Sequence, residues 1–221
     1  MIKEHRVLDH GIVRLVDHMG SDLSISRSAR VSYDAEGRPE DTKLINYLLM
    51  NGHSTPFESC TVTFDVKAPI FVFRQWHRHR TQSYNELSAR YRELPEEFYV
   101  PDESQITTQS TDNKQMRTDT PHPRAKFIRF DIEESNRRAF EYYHSLIEEG
   151  CPRELARSVL PVGTYSHMFA TANLFNWMRF LKERLHPHAQ YEIRVYAEAI
   201  CAILSGLYPV AMAAFKEKYE L

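Results

Sequence analysis

The chain of 221 residues carries, at positions 78–90, the stretch Arg-His-Arg-Thr-Gln-Ser-Tyr-Asn-Glu-Leu-Ser-Ala-Arg. It combines cations, amides and hydroxyls where a purely structural segment would show apolar periodicity. Between Arg74 and Arg92 there are five arginines and one acidic residue, Glu86, although the formal net charge of the whole chain is -2. Arginine side chains match the geometry of phosphate oxygens, and they repel one another unless an anion or a carboxylate lies among them. The stretch therefore predicts an anion-binding active-site loop.

The same stretch resembles the signature of the flavin-dependent thymidylate synthases, Arg-His-Arg-x-x-Ser-x-Asn-Glu-x-Ser-x-Arg, and every fixed position is present. Eight specified residues in a span of thirteen make this a far more specific signal than a lone glycine pattern. Further segments are similar to the family as well, namely residues 53–57, 68–72, 75–76, 152–157 and 188–193. The likeness covers nearly the whole chain.

The resemblance implies a methyltransferase that converts 2′-deoxyuridine 5′-monophosphate (dUMP) to thymidylate (dTMP). The carbon would come from 5,10-methylenetetrahydrofolate and the hydride from FAD that is reduced by NADPH. The family also implies its own α+β fold and a homotetramer whose sites form where subunits meet. The protein would hold and polarise the substrate while the cofactor performs the redox step.

The nucleotide contacts implied by the resemblance come from the motif and from two later arginines. They are Gln75, Arg78, Glu86, Leu87, Ser88, Ala89, Arg90, Arg157 and Arg184. Arg184 would be the catalytic residue, because a fixed cation at the pyrimidine edge stabilises the ionised form of the uracil ring. Without the resemblance, Glu86 would be a structural counter-ion, Arg157 an exposed helical arginine and Arg184 a cation at the negative end of a helix dipole.

The implied FAD contacts are spread along the chain. They are Ser32, His53, Thr55, Arg78, His79, Arg80, Thr81, Glu86, Asn173, Arg179 and His188. Two positions depart from the family: Arg179 stands where some members have asparagine or histidine, and Phe175 where a polar residue occurs. Arg74 and Arg92 are expected to be structural or rim charges. Without the resemblance, Ser32, His53, Asn173 and His188 would be interpreted as polar residues at the ends of helices or strands.

The composition indicates one catalytic domain over residues 1–221, since the chain can bury one sizeable core and shows no obvious linker. Residues 102–124 are rich in Ser, Thr, Gln and Asp and predict a long surface loop or lid. The lack of a signal sequence and of a long apolar run favours a cytoplasmic protein without a membrane partner. A near-neutral charge with one basic cluster favours a small anion over nucleic acid.

The apolar patterns predict an α+β fold with early antiparallel strands and a helix-rich second half. Strands are expected at 11–16 and 60–66, and helices at 41–50, 127–149, 152–159, 171–184 and 188–204. Residues 70–77 fit a helix after Pro69, although 70–73 also fit a strand. Glycine-rich nucleotide motifs are absent from the sequence, so a nucleotide cofactor must be held by another device.

Two other functions are compatible with some of these residues. A non-enzymatic nucleotide or single-stranded RNA binder would use the arginines with Tyr84 and Tyr91 for stacking. A metal-dependent phosphohydrolase would use the histidine pairs at 77/79 and 186/188, but no acidic or cysteine ligand lies at motif spacing, and no metal is expected. Cys60, Cys151 and Cys201 lack a cationic setting, so we expect reduced, buried thiols and no cysteine nucleophile.

Overall fold

A five-stranded antiparallel sheet is the platform of this computed structural model, which describes residues 4–31 and 41–221. The strand order is β1-β2-β3-β7-β4. The strands of this sheet are β1 Glu4–Val7, β2 Gly11–Met19, β3 Thr61–Pro69, β4 Ser83–Glu86 and β7 Tyr165–Asn173. A separate hairpin consists of β5 Thr107–Gln109 and β6 Arg117–Pro121.

Helices cover the sheet and dominate the second half of the described chain. They are α1 Asp22–Ala29, α2 Thr42–Met50, α3 Thr55–Glu58, α4 Ile70–Trp76, α5 Ala125–Glu148, α6 Arg153–Ala156, α7 Leu174–Arg184, α8 Tyr191–Leu207 and α9 Pro209–Tyr219. Short 3-10 turns lie at Glu103–Gln105 and Arg157–Val159. No helix of the described residues has both the length and the apolar character needed to cross a membrane.

Strand β3 lies at the centre of the sheet and supplies alternate side chains to the core. Val62, Phe64 and Val66 are fully buried, as is Ala68, which a period of two requires for one face of a strand. Its partner β7 pairs along the full length, from Thr61 opposite Asn173 to Pro69 opposite Tyr165. Strand β4 pairs with the other side of β7 and forms the edge of the sheet.

A cluster of buried aromatic rings packs α4, α7 and α8 against this sheet. Trp76 lies 4.6 Å from Phe180 between ring centroids and 6.3 Å from both Trp177 and Tyr196. Trp177 also packs edge-on against Phe64, and its indole N–H donates to the Val62 carbonyl at 3.1 Å. Each large ring removes much apolar area from water, so this cluster contributes several kcal/mol, of the order of 1.5–3 per side chain.

Most predicted elements are confirmed with shifted ends. Strands at 11–16 and 60–66 and the helix at 41–50 are present as β2, β3 and α2. Residues 70–76 are helical, because β3 ends at Pro69, whose backbone has φ -59° and ψ 143° and begins α4. The helices expected at 127–149 and 188–204 are α5 and α8, and 152–159 divides into α6 and a 3-10 turn.

Three expectations about the fold were wrong. Residues 171–173 are not helical: they end β7, and the helix begins at Leu174 with Asn173 as its N-cap. Strands are therefore not confined to the first half, since β7 occupies the interior of the sheet. Residues 102–124 form a 3-10 turn and the β5–β6 hairpin rather than an irregular loop, because their polar strands satisfy each other's backbone groups. The sequence patterns did not predict β1, α1 or α9.

The three cysteines are free thiols. Cys60 and Cys201 are buried, and burial raises the pKa of both thiols. Cys151 is only half-buried, which corrects the expectation that all three would be buried. The raised pKa values keep Cys60 and Cys201 protonated and unreactive.

Gly11 is expected to be intolerant of any side chain. A Cβ atom there would lie 2.1 Å from the hydroxyl of Tyr196 and 2.5 Å from the carbonyl of Val7. Gly11→Ala should therefore lower the free energy of unfolding by about 1–3 kcal/mol or more, because overpacking forces the strand away from α8. Urea denaturation measures this loss.

Gly163→Ala is the matched control, since its Cβ would lie no closer than 3.4 Å to Asn136 Oδ1. We expect a change below about 0.5 kcal/mol. Equal losses in the two variants would contradict the close approach of β2 and Tyr196.

Candidate active site

The turn at residues 77–82 is held in place by hydrogen bonds from the buried Trp76 and the half-buried Tyr84. The Trp76 indole N–H donates to Gln82 Oε1 at 3.1 Å, and both residues are buried. The Tyr84 hydroxyl donates to the carbonyls of His79 at 2.7 Å and Trp76 at 3.3 Å. Burial raises the pKa of Tyr84 to about 12, so its hydroxyl remains a donor at neutral pH.

Strand β4 places the rest of the motif along one edge of the sheet. Ser83 pairs with Thr171 and Glu86 with Met168 in the antiparallel ladder. The Leu87 N–H continues this ladder with a 2.8 Å hydrogen bond to the His167 carbonyl. Residues 86–89 consequently pass beside the first turns of α4, and the turn residues 78–81 face α7.

The first cleft, called the α4 cleft, has a volume of about 680 Å³. It contains five of the predicted nucleotide residues: Glu86, Leu87, Ser88, Ala89 and Arg157. Its remaining walls come from α4, from the segment after α6 and from β7. The structure therefore brings together residues that lie about seventy positions apart in the sequence.

Arginines approach the α4 cleft from three separate segments. Arg157 lines it, and its Nε donates to the Glu154 carbonyl at 3.2 Å. Arg90 lies at the rim, where its Nε is 3.3 Å from a carboxylate oxygen of Glu154, another lining residue. Arg74 and His77 also line the cleft. This density of cations suits a small phosphorylated ligand.

Arg74 and His77 were missed as cleft residues. From the sequence, Arg74 was expected to be a structural or rim charge, and His77 was considered only as one of a histidine pair with His79. Ile70 and Phe73 lie beside them on α4. All four residues line the α4 cleft, because α4 turns this face toward it. The spacing of Ile70, Phe73, Arg74 and His77 on one helix face was the available signal.

The second cleft, called the α7 cleft, has a volume of about 420 Å³ and collects predicted flavin residues. Arg78, His79, Arg80 and Thr81 come from the turn, and Arg179 comes from α7. Lys182 adds a further cation one turn later, with its Nζ 5.1 Å from the centre of the Tyr219 ring on α9. The lining holds four cationic side chains and one carboxylate, Glu183.

Arg184 connects the C-terminal end of α4 to the turn at residues 77–82. Its Nε donates to His79 Nε2 at 3.0 Å, and its Nη2 donates to the Gln75 carbonyl at 3.1 Å. Burial, together with the charges of Arg184 and Arg179, lowers the pKa of His79 to about 4. His79 is therefore neutral at pH 7, and its Nε2 is free of a proton and accepts from the guanidinium.

The third cleft, called the hairpin cleft, has a volume of about 470 Å³ and lies between the β5–β6 hairpin and residues 187–194. His188 lines it, as do Gln190 and Tyr191. Gln75 contacts its rim, because Gln75 Nε2 donates to Gln190 Oε1 at 2.5 Å. The residues once expected to form a lid thus supply a wall of this cleft.

Three predicted flavin residues line none of these clefts. His53 stacks on Tyr47 with 6.0 Å between ring centroids, and Thr55 is exposed at the first position of α3. Asn173 Oδ1 accepts from the Asn176 N–H at 2.9 Å and caps α7. Ser32 lies outside the described residues. The rings of His186 and His188 are 4.7 Å apart, and no trio of described His, Cys, Asp or Glu residues is arranged for a metal ion.

Comparison with known proteins shows a match along most of the chain. The family model described as "Thymidylate synthase complementing protein" matches residues 14–210. A flavin-dependent thymidylate synthase of Wolbachia pipientis wMel is 45% identical over 221 residues, covering 98% of this chain and 78% of that protein. Another from Anaplasma marginale (strain St. Maries) is 48% identical over 218 residues, covering 97% and 75%.

The fold is similar to that of a solved structure. The UMP/dUMP methylase PolB from Streptomyces cacaoi, bound with 5-Br UMP, superposes with a TM-score of 0.88 at 37% identity over 97% of both chains. Its complex with 5-Br dUMP gives a TM-score of 0.87. These matches confirm the predicted α+β fold and the resemblance drawn from residues 78–90. The chain belongs to the flavin-dependent thymidylate synthases, the family of the thymidylate synthase complementing proteins.

Proposed function

We propose that the protein methylates dUMP at the uracil ring to give dTMP. The ring carbon loses a proton and gains the methylene of 5,10-methylenetetrahydrofolate, which leaves as tetrahydrofolate, and two electrons with a proton reduce this methylene to a methyl group. The observation that carries the proposal is the division of residues 78–90 between two cation-bearing clefts. The α4 cleft offers arginines and a serine hydroxyl to a nucleoside monophosphate, and the α7 cleft offers four cations to a cofactor with a diphosphate.

The α4 cleft is the proposed site of the nucleotide. Arg90 and Arg157 would hold its phosphate, since both guanidinium groups contact Glu154, which lines the cleft together with polar side chains such as Ser88. Glu86, Leu87 and Ala89 would complete the contacts of this chain. Arg74 is a further cation available to the phosphate.

The residues of the α7 cleft fit a flavin dinucleotide. Arg78, Arg80, Arg179 and Lys182 can neutralise a diphosphate, and the half-buried Phe175 and Tyr219 offer apolar surface to rings. When bound, reduced FAD supplies the two electrons for the methylene, and NADPH supplies them to the flavin. Thr81 and Glu86 would contact the same cofactor. His188 would contact it from the hairpin cleft.

Arg184 is the proposed catalytic residue. Its Nε and Nη2 are engaged by His79 and the Gln75 carbonyl, so the planar guanidinium is fixed in direction. Its Nη1 makes no hydrogen bond to any residue that the structure describes, and would face the pyrimidine. A preorganised cation there stabilises negative charge that develops on the ring.

We propose a homotetramer that completes each site between subunits. Gln75, Arg78 and Arg184 do not line the α4 cleft, although they belong to the same nucleotide set as Glu86 and Arg157. If a second copy of the chain brought its Gln75 and Arg184 to this cleft, these residues would lie beside Glu86 and Arg157 of the first copy. The same assembly would give His53, Thr55, Asn173 and Ser32 access to the flavin. The whole chain would act as one catalytic domain, in the cytoplasm where these metabolites occur.

An anaerobic turnover experiment tests the activity. The purified protein with FAD is reduced by NADPH, and dUMP and methylenetetrahydrofolate are then added while flavin absorbance and dTMP are followed. We expect dTMP to form in proportion to reoxidised flavin. Flavin binding without dTMP would contradict the reaction, and the absence of flavin binding would favour the non-enzymatic nucleotide or RNA binder, for which the comparisons offer no support.

Arg184→Ala should lower kcat by about 100-fold or more, because one preorganised charge is lost from the transition state. FAD should remain bound, which absorbance after gel filtration measures. Arg137→Ala removes an exposed arginine of α5 and serves as the control with unchanged kcat. A kcat for Arg184→Ala within about threefold of the wild type would remove its catalytic role.

Arg90→Ala should raise the KM for dUMP by about tenfold, because a charged contact to phosphate is lost. The affinity for FAD, measured by a separate titration, should stay unchanged. Arg92→Ala is the matched control, since Arg92 is exposed two residues further on and lines none of the three clefts. Equal losses of nucleotide and flavin affinity would contradict the assignment of Arg90.

His79 should make folding stability depend on pH. Its pKa is lowered from 6.5 to about 4 in the folded chain, so its contribution is complete above pH 6.5 and is lost as the pH falls toward 4. The free energy of unfolding is measured by urea denaturation at pH 7 and at pH 5. It should fall less between these two pH values in His79→Gln than in the wild type, because glutamine keeps an acceptor but does not titrate. His18→Gln, at an exposed position of β2, should retain the wild-type pH dependence. The same dependence in His79→Gln would refute the lowered pKa.

A further inference from the structure

A relay of hydrogen bonds joins Gln75 to a buried carboxylate at the start of α8. Gln75 Nε2 donates to Gln190 Oε1 at 2.5 Å, and Gln190 Nε2 donates to Glu192 Oε2 at 2.7 Å. Glu192 is only 3% exposed, whereas Gln190 is exposed. We infer that Glu192 is a positioning residue that sets, through Gln190, the direction in which the Gln75 amide faces the substrate.

The direction of the relay follows from the partners of Glu192. Its Oε1 accepts from the Tyr99 hydroxyl at 3.2 Å and from Arg117 Nη2 at 3.1 Å. Arginine is always a donor, and burial beside Glu192 raises the pKa of Tyr99 far above its usual range, so Tyr99 is a donor too. An ionised carboxylate only accepts. Gln190 must therefore turn its amide nitrogen toward Glu192 and its carbonyl oxygen toward Gln75.

This order leaves Gln75 with one possible orientation. A glutamine amide can usually rotate by half a turn and exchange its donor for its acceptor. Here the nitrogen of Gln75 must face Gln190, so its Oε1 points away from the relay. No described residue donates a hydrogen bond to that oxygen. Gln75 therefore offers a fixed acceptor to the ligand.

The inference rests on the proposed function, in which Gln75 contacts dUMP. A fixed acceptor takes a hydrogen-bond donor, and dUMP has two: the N3–H of uracil and the 3′-hydroxyl of deoxyribose. A site built around such a bond discriminates against an analogue that lacks the donor, since the acceptor is then left without a partner. Glu192 and Gln190 would thereby raise the selectivity for the nucleotide through Gln75, without contacting the nucleotide themselves.

The arrangement also connects the nucleotide residue to the β5–β6 hairpin. Arg117 lies on β6, and its Nη1 donates to the Gln105 carbonyl at 3.1 Å while its guanidinium lies 5.4 Å from the centre of the Tyr191 ring. Glu192 is thus anchored on one side by the hairpin and on the other by Gln190. The buried carboxylate has no freedom to rotate and release the relay.

Two variants test the relay in steady-state kinetics. Glu192→Gln keeps the size of the side chain but allows it to donate as well as accept, and Gln190→Met removes the relay at an exposed position while leaving Glu192 with Tyr99 and Arg117. Each should raise the KM for dUMP by about tenfold with kcat within about twofold of the wild type. If Glu192→Gln fails to fold, the KM of Gln190→Met alone tests the relay.

Tyr99→Phe is the matched control. It removes another hydrogen bond from the same carboxylate but leaves Gln190 in place, so the KM for dUMP should stay within about twofold. The double variant Gln75→Ala/Gln190→Met should have the KM of Gln75→Ala alone, because Gln190 acts only through Gln75. The inference would be overturned if the two substitutions raised the KM multiplicatively in the double variant, or if Gln190→Met left the KM unchanged.

Nucleotide analogues identify the donor. The wild type should bind either 2′,3′-dideoxyuridine 5′-monophosphate or N3-methyl-dUMP about tenfold more weakly than dUMP, and this penalty should shrink in Gln190→Met. An equal penalty in wild type and variant would contradict a fixed acceptor. A wild type that makes no dTMP would refute the proposed function, whereas normal turnover with an unchanged KM in the variants would refute only the relay.

Discussion

The geometry of the whole site depends on the burial of the Trp76 indole. The ring is fully buried among Trp177, Phe180 and Tyr196, and its N–H is the donor that holds Gln82. Trp76 is the last residue of α4, so fixing its ring also fixes the start of the turn at 77–82. The chain then enters β4 at a defined place on the sheet edge. Loss of this packing would release both ends of the motif together.

The turn has an electrostatic consequence. Residues 78–81 line the α7 cleft and residues 86–89 line the α4 cleft, so one short segment contributes to two clefts that both contain arginines. His79 lines the α7 cleft as a neutral ring, because burial and the nearby guanidinium groups lower its pKa. Arg184 is thereby given an acceptor where a protonated histidine would repel it. The site concentrates positive charge at the surface while its buried contacts are neutral or paired.

The secondary structure was predictable where it follows from local pattern. Helix α2 and strand β3 have the expected periods, and none of their ends differs from the expected position by more than three residues. Strand β7 was not predictable in this way, because its backbone partners, Thr61 to Pro69, lie about a hundred residues earlier. Its sequence also mixes strand-favouring Tyr, Phe and Thr with Ala and Asn, which are depleted in strands. The hairpin at 107–121 is polar on both faces, and its anchor is the contact of Arg117 with Glu192.

The sequence by itself determined the family, the fold class and the chemical character of the site. This is because the motif at 78–90 lies in one continuous segment, where residue types and spacing can be read directly. Only the tertiary structure decided that Glu86 to Ala89 join Arg157 in one cleft while Arg78 to Thr81 join Arg179 in another. It also decided that Gln75, Gln190 and Glu192 form one relay. Such groupings arise from strand pairing and from the packing of buried rings, which bring together residues that no local pattern connects.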